Sequence, residues 1–188
     1  HLVLPDQYAY VRDEIVPALL QLREAGKIRF LGITESFVDD SHHRMLENAL
    51  EDDCWDVVMA GFNLLNPSAR MNVLPVTQAR DIGFLNMIAF RQAFGGPGYV
   101  RERLGGQDWM GNEPPLGFLT QDPDVESLVE AAYRFCRWEP GVHVVLSGTG
   151  NSAHLEANVR AMEKPALGKR HLKRLEDLFA LIGVRSYL

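Results

Sequence analysis

Cysteine is scarce. Cys54 and Cys136 are the only two in 188 residues, and neither has a second Cys or a His at metal-ligand spacing. That excludes a disulfide scaffold and a cysteine-held metal, and points to reduced thiols in a cytoplasmic protein. No apolar run approaches the ~20 residues that cross a bilayer, so no membrane partner is expected. No signal-peptide pattern opens the chain. It starts at His1, without an initiator Met, as a fragment of a longer protein would. The sole N-x-S/T triplet, Asn66-Pro67-Ser68, is cancelled by its proline. Basic residues are in deficit: 19 Lys and Arg stand against 25 Asp and Glu, a net charge of −6. With no basic stripe to neutralise phosphates, nucleic acid is excluded as the main partner. The densest basic stretch, from Lys164 to Arg174, reads as the solvated face of a terminal helix. Repeats and low-complexity tracts are absent, and no residues are spaced for a metal. His42-His43 starts a helix and should face solvent.

What is present is a hydrophobic content of 46%, enough to bury a core in one domain or part of one. Helical and short apolar runs alternate. A helix is predicted over 8–25, with Val11, Ile15, Leu19 and Leu22 on one stripe and Gly26 as its stop. Ile28–Ile33 reads as a buried strand, followed by a helix from Asp40 to Leu50 with Met45, Leu46 and Leu50 facing inward. Strands at Trp55–Phe62 and Gly83–Phe90 flank a weak helix at Val73–Arg80. A Gly/Pro-rich stretch at 91–123 is long for a loop inside a domain, and such loops are often functional. Trp109 within it can wall a substrate pocket or anchor the loop. A helix at Val125–Trp138 puts Leu128, Val129, Ala132 and Phe135 on its apolar face, and a terminal helix with its tail occupies 168–188.

The most informative segment is 142–159. A strand at Val142–Leu146 runs into Ser147-Gly148-Thr149-Gly150, and Asn151 or Ser152 can cap a helix carrying Leu155, Val159 and Met162 on one face. Such a turn is either an ordinary βα connection or an anion site built from backbone N–H groups at a helix N-terminus. Four strand–helix alternations imply a parallel α/β fold with right-handed crossovers. A doubly wound sheet and half of a (β/α)8 barrel both fit. In either, ligands sit at the C-terminal strand ends: Thr34-Glu35-Ser36, Asn63-Leu64-Leu65, Ile88-Ala89-Phe90 and Ser147-Gly148-Thr149.

Leu22-Arg23-Glu24-Ala25-Gly26-Lys27-Ile28-Arg29-Phe30-Leu31-Gly32-Ile33-Thr34 resembles the helix-to-strand join of the aldo-keto reductase family, L-x₃-G-K-[IV]-R-x-[IL]-G-[VI]-[ST]. The 142–158 segment is similar to that family's closing pattern, a strand, G-[TA]-x-N and x-x-L-x-x-N. Phe62-Asn63-Leu64-Leu65 and Ala79-Arg80-Asp81-Ile82-Gly83 support the match in order and spacing. Sugar- or aldehyde-oxidising and shaker-β-like branches are the nearest in pattern.

The resemblance implies a (β/α)8 TIM barrel of which this chain supplies about the C-terminal half, strands five to eight. It implies hydride transfer between NAD or NADP and an aldehyde, ketone or sugar hemiacetal. In the family a tyrosine protonates the carbonyl oxygen, assisted by a lysine and an aspartate, and these three fall on strands one to four. Tyr8, Tyr10, Tyr99, Tyr133 and Tyr187 do not fall at strand ends. On this register His1 is the catalytic residue carried over, a histidine that hydrogen-bonds the carbonyl oxygen. Thr34 would hold the nicotinamide carboxamide, where Glu35 stands in place of a frequent Asn. Met87 would pack on the nicotinamide ring. Met59 and Ala60 cover the place of a family glutamine. Ser147, Gly148, Thr149, Asn151, His154 and Asn158 would bind the adenosine end. His154 where NADP-dependent members often carry Arg, and Ala157 in place of an acidic residue, lean toward NAD. Lys27 and Arg29 sit at the N-terminal end of their strand and read as structural.

Two other functions remain open at this point: a non-catalytic nicotinamide-nucleotide-binding relative, or a barrel isomerase or lyase using the phosphate site. Oligomeric state is not legible. The isolated 188 residues, with open sheet edges, are expected to be poorly soluble and without turnover.

Overall fold

The computed structural model describes residues 1–90 and 116–186, which group into two compact units. Most of the loop at 91–123, including Tyr99 and Trp109, lies outside the described residues, as does Tyr187.

The first unit comprises His1–Phe62, Asn66–Met87 and Glu139–Leu146. A helical run begins with one turn at Tyr8–Tyr10, widens to a π-helical turn at Val11–Ile15 and continues as α1, Val16–Glu24. Pro17 explains the wide turn: its ring would collide with the carbonyl four residues back, and the Val16 N–H reaches Val11 O instead. Gly26, at φ +70°, ends the helix as expected. The stripe of Val11, Ile15 and Leu19 is less buried than its pattern predicts. These side chains border a cavity of about 530 Å³ that His1, Val3, Tyr10 and Ile33 also line, and Ile15 is 40% exposed.

Four strands follow: β1 (Gly32–Thr34), β2 (Val57–Gly61), β3 (Gly83–Met87) and β4 (Val144–Val145), all parallel and in sequence order. The strands are shorter than the apolar runs that announce them. At the start of β1, the Leu31 N–H is taken by the Asp56 carboxylate at 2.8 Å while the Leu31 carbonyl accepts the Asp56 and Val57 N–H groups, so the regular ladder begins only at Gly32. At β4, the His143 ring takes the Phe84 N–H at 3.0 Å and delays the ladder. Beyond Met87 the chain turns at Ile88, φ +59°. Helix α2 (Arg44–Ala49) starts later than the predicted Asp40, because Asp40 stands outside it and its carboxylate accepts the Met45 N–H at 2.8 Å. Met45, Leu46 and Leu50 face inward as expected. Helices α3 (Ala69–Asn72) and α4 (Leu74–Ala79) complete the unit.

The register gives the sheet two unequal faces. Thr34, Met59, Leu85 and Val144 align on one; Ile33, Val58 and Phe84 align on the other. The second face is buried across β1, β2 and β3 and half-buried at Val145 of β4. On the first, burial fades from Thr34 to Val144, which is 46% exposed.

The second unit comprises Asn63–Leu65, Ile88–Trp138 and Ser147–Leu188. It holds α5 (Gly117–Thr120), α6 (Leu128–Arg137), α7 (Ser152–Glu163) and α8 (Lys169–Ser186). Ser127 caps α6 by accepting the Glu130 N–H. Ala132 and Phe135 are buried, whereas Leu128 and Val129 are half-buried. The apolar face predicted for α7 points outward instead: Leu155 and Val159 are about half exposed, while Asn158 and Ala161 are the buried positions. Helix α7 packs its Asn158–Ala161 side on α6, which turns the leucine and valine away. Lys164 is not a solvated charge, since its ammonium bonds Glu126 at 2.6 Å and Glu130 at 2.8 Å.

Candidate functional site

In a parallel sheet the C-terminal strand ends share one edge, and that edge carries the candidates of the first unit. Thr34 closes β1; it is buried, its backbone oxygen accepts the Val3 N–H, and its hydroxyl has no hydrogen-bond partner among the described residues. Met87 closes β3, half-buried, two residues beyond the position in register with Thr34 across β2. Thr34 and Met87 therefore stand on the same face. Met59 and Ala60 divide: Met59 shares that face, and Ala60 points to the buried one. His1 is exposed on the wall of the 530 Å³ cavity. Lys27 and Arg29 are exposed at the opposite end of β1.

Glu35, one residue past Thr34, is fully buried. Its Oε1 accepts the Gly61 N–H at 2.8 Å, and both carboxylate oxygens lie 2.9–3.0 Å from His43 Nδ1. His43 Nε2 is 2.9 Å from Ser68 Oγ. Phe37 stacks on the His43 ring at 5.7 Å and also covers Gly61. His43 was expected in solvent and is instead among the most buried side chains; its φ of +61° swings the ring inward ahead of α2. Sequence reading missed His43 and Ser68. A His beside another His at a helix start carries the signal of a polar surface, and its partners are eight and 25 residues away.

Tyr8 and Tyr10 precede β1 and Tyr133 lies on α6, so none of the described tyrosines stands at a C-terminal strand end. Tyr8 is buried, donates to Asp52 Oδ2 at 2.5 Å and accepts from Trp55 Nε1 at 3.2 Å. Burial first, then the Asp52 bond, pushes its hydroxyl far above the ordinary tyrosine value. Tyr10 is 64% exposed. Burial, then Asp52, likewise pushes the Cys54 thiol up, away from the reactive thiolate. No group of His, Cys, Asp or Glu among the described residues could hold a metal ion.

In the second unit, Ser147, Gly148, Thr149 and Gly150 are exposed, and a Cβ on either glycine would meet nothing within 4 Å. Asn151, one of the two caps the sequence offered, is the N-cap of α7: its Oδ1 accepts the Ala153 N–H at 2.9 Å and the His154 N–H at 3.4 Å. The helix therefore satisfies part of its own N-terminus. The Asn151 N–H in turn donates to Thr149 Oγ1 at 3.2 Å. Asn158, buried, donates to Ser147 Oγ at 2.9 Å and to the Tyr133 hydroxyl at 3.3 Å, tying the turn to α7 and α6. His154 is exposed. Asn63, from the Phe62–Leu65 motif, donates to Ile88 O at 3.1 Å and accepts the Leu65 N–H.

Aldo-keto reductase AKR11C1 from Bacillus halodurans is similar in structure. Its holo form gives 18% identity and a TM-score of 0.61 over 88% of this chain and 55% of that one. Its apo form gives 18% identity and a TM-score of 0.61 over 88% and 56%. The chain thus spans a little over half the length of these relatives, and the likeness is one of fold. No curated protein matches it in sequence. The family profile of the aldo/keto reductases runs through residues 1–180, across all four strands. By that match, this chain belongs to the aldo/keto reductase family.

Proposed function

We propose that these four strands are about half of a (β/α)8 barrel that exchanges hydride between a nicotinamide dinucleotide and a small carbonyl compound. The substrate class is an aldehyde, ketone or sugar hemiacetal. The observation that carries this reading is the unequal sheet. One face is buried from β1 through β3 and half-buried at Val145 of β4; the other, with Thr34, Met59, Leu85 and Met87, is partly open and would be covered by barrel closure. The candidate nicotinamide contacts stand on that open face at its C-terminal edge.

The residues present fit a dinucleotide. Thr34 offers a hydroxyl that no described residue occupies, suited to a carboxamide. Gly148 and Gly150 leave the backbone open to a phosphate. When bound, the dinucleotide supplies or accepts the hydride. Thr34 would orient the carboxamide and Met87 would pack on the ring. Ser147, Gly148, Thr149, Asn151 and His154 would line the adenosine end, with Asn158 holding Ser147 in place. His154 is a weaker partner for a 2′-phosphate than Arg, which favours NAD over NADP. His1 would donate a hydrogen bond to the carbonyl oxygen. Proton donation is assigned to residues outside these four strands, since the Tyr8 hydroxyl is buried and its proton is committed to Asp52.

The intact protein titrated with NADH and NADPH, followed by nicotinamide fluorescence, should bind both saturably and NADH more tightly. It should then reduce members of a panel of aldehydes and aldoses, whereas the 188 residues alone should not. Failure to bind either dinucleotide would overturn the reading. Tight binding without turnover would move it to a non-catalytic relative.

A further inference from the structure

We propose that Glu35, His43 and Ser68 form a buried latch, its Glu–His pair holding two protons, that fixes the loops following β1 and β2. Glu35 is then a positioning residue beside Thr34 rather than a ligand contact. The proposal rests on the reading of Thr34 above only for what the latch positions; the latch itself is argued from geometry.

The proton count follows from hydrogen bonds alone. Asn66 Nδ2 donates to Ser41 O at 2.9 Å, and Asn66 Oδ1 accepts the Ser68 N–H at 3.0 Å, which fixes the orientation of the amide. The Ser68 hydroxyl lies close against Asn66 Oδ1 and 3.2 Å from Ser41 O, two acceptors. Its single proton is spent on that side. The bond between Ser68 Oγ and His43 Nε2 therefore needs its proton from the ring. At the other nitrogen, Nδ1 faces both oxygens of Glu35, and that contact needs a second proton, on the ring or on the carboxyl. Either way the pair is neutral overall. A neutral ring protonated at Nδ1 alone would leave the Nε2–Ser68 contact without a proton and put an uncompensated negative charge in a pair with no exposure to solvent.

The surroundings agree. Phe37 stacks on the ring from the loop after β1. The Asp40 carboxylate, from the same loop, is held by the Met45 N–H and the Arg44 guanidinium. From the loop after β2, Ser68 and Asn66 are neutral. On α3, Arg70 is forked onto Glu139, and Glu47 of α2 bonds Asn72. The Gly61 N–H adds a donor to Glu35. The latch thus joins the end of β2, the end of β1, the start of α2 and the start of α3. Those are the backbone segments that set where Thr34 and the β2 end present themselves.

Nitrogen-15 NMR of the His43 ring in the intact wild-type protein at neutral pH reads the count without mutation. A proton on Nε2 is expected. A bare Nε2 with the proton on Nδ1 alone would overturn the latch. The second measurement is a double-mutant cycle with Glu35→Gln and His43→Gln in chemical denaturation. Each single change should lower the folded-to-unfolded ratio by on the order of 10²–10³-fold, and the double change by much less than the product. Independent, multiplicative effects would also overturn it. Should a single variant fail to fold, Ser68→Ala replaces it: the Nε2 resonance should shift while the protein stays folded, and an unchanged resonance would count against the proposal. Absence of dinucleotide binding would sink the reductase reading and leave these outcomes untouched.

Discussion

The ends of β1 and β2 and the end of β4 occupy equivalent places in the sheet and solve the same problem in opposite ways. After β1, polar side chains turn inward: Glu35 and His43 are fully buried and every polar atom of the pair has a partner. After β4, Ser147–Gly150 stays in solvent, and the helix that follows is capped by its own Asn151. The first arrangement places chemistry by rigidity, because a satisfied buried network has one low-energy geometry. The second keeps backbone donors and two uncrowded glycines available to a ligand at little internal strain.

The sharpest way to break this contrast is His43→Ala. It leaves the Glu35 carboxylate buried with only the Gly61 N–H, and should destabilise the intact protein by about 3–5 kcal/mol in urea denaturation; a loss under ~1 kcal/mol would mean the buried end is no more rigid than the exposed one. Next is Gly61→Ala. The added methyl would run into the Phe37 ring, and overpacking of this kind costs about 1–3 kcal/mol. The companion Phe37→Ala should make the same change nearly harmless, and if it does not, Phe37 is not what fills that space.

A third experiment uses pH on α6 of the second unit. Burial pushes the Glu130 carboxyl up, but Lys164, Arg134 and the Glu126 N–H together pull it below its ordinary value. A carboxyl lowered by folding contributes stability above its unfolded pKa and loses it as pH falls through the lower folded value. Lys164→Met should shallow that acid-side decline in a stability–pH series; an identical slope would remove Lys164 from the account. Smaller still, Asn151→Ala should cost about 1 kcal/mol of thermal stability through the lost cap. Smallest is Gly148→Ala, with open space around it: within about 0.5 kcal/mol of wild type in stability, yet weaker for NADH by calorimetry. If NADH affinity does not change, the turn is not the dinucleotide's phosphate site.

Much of this was legible in the chain. The apolar runs around Ile33, Val58, Phe84 and Val144 announce strands, because short apolar runs bounded by turn signals suit buried strands. Asn151 announces its own helix start through a bond three residues long. Strand lengths were overestimated where a side chain took a backbone N–H, as Asp56 does at Leu31 and His143 does at Phe84, and where the chain turned at Ile88. Helix faces were misjudged where buried polar groups decide the packing: α7 turns Asn158 inward and Leu155 outward. The candidate site was legible as strand-end positions and illegible as a network.

Local chemistry is written in neighbouring residues, so the sequence alone determined the strand–helix alternation, the glycine stop at Gly26, a helix cap at Asn151 or Ser152 and the family motifs. Hydrogen bonds between residues distant in sequence exist only once the sheet has brought strand ends together. The tertiary structure therefore decided that Glu35 belongs to the interior, that His43 is its partner, and that Ser68 completes the line from 33 residues further along the chain.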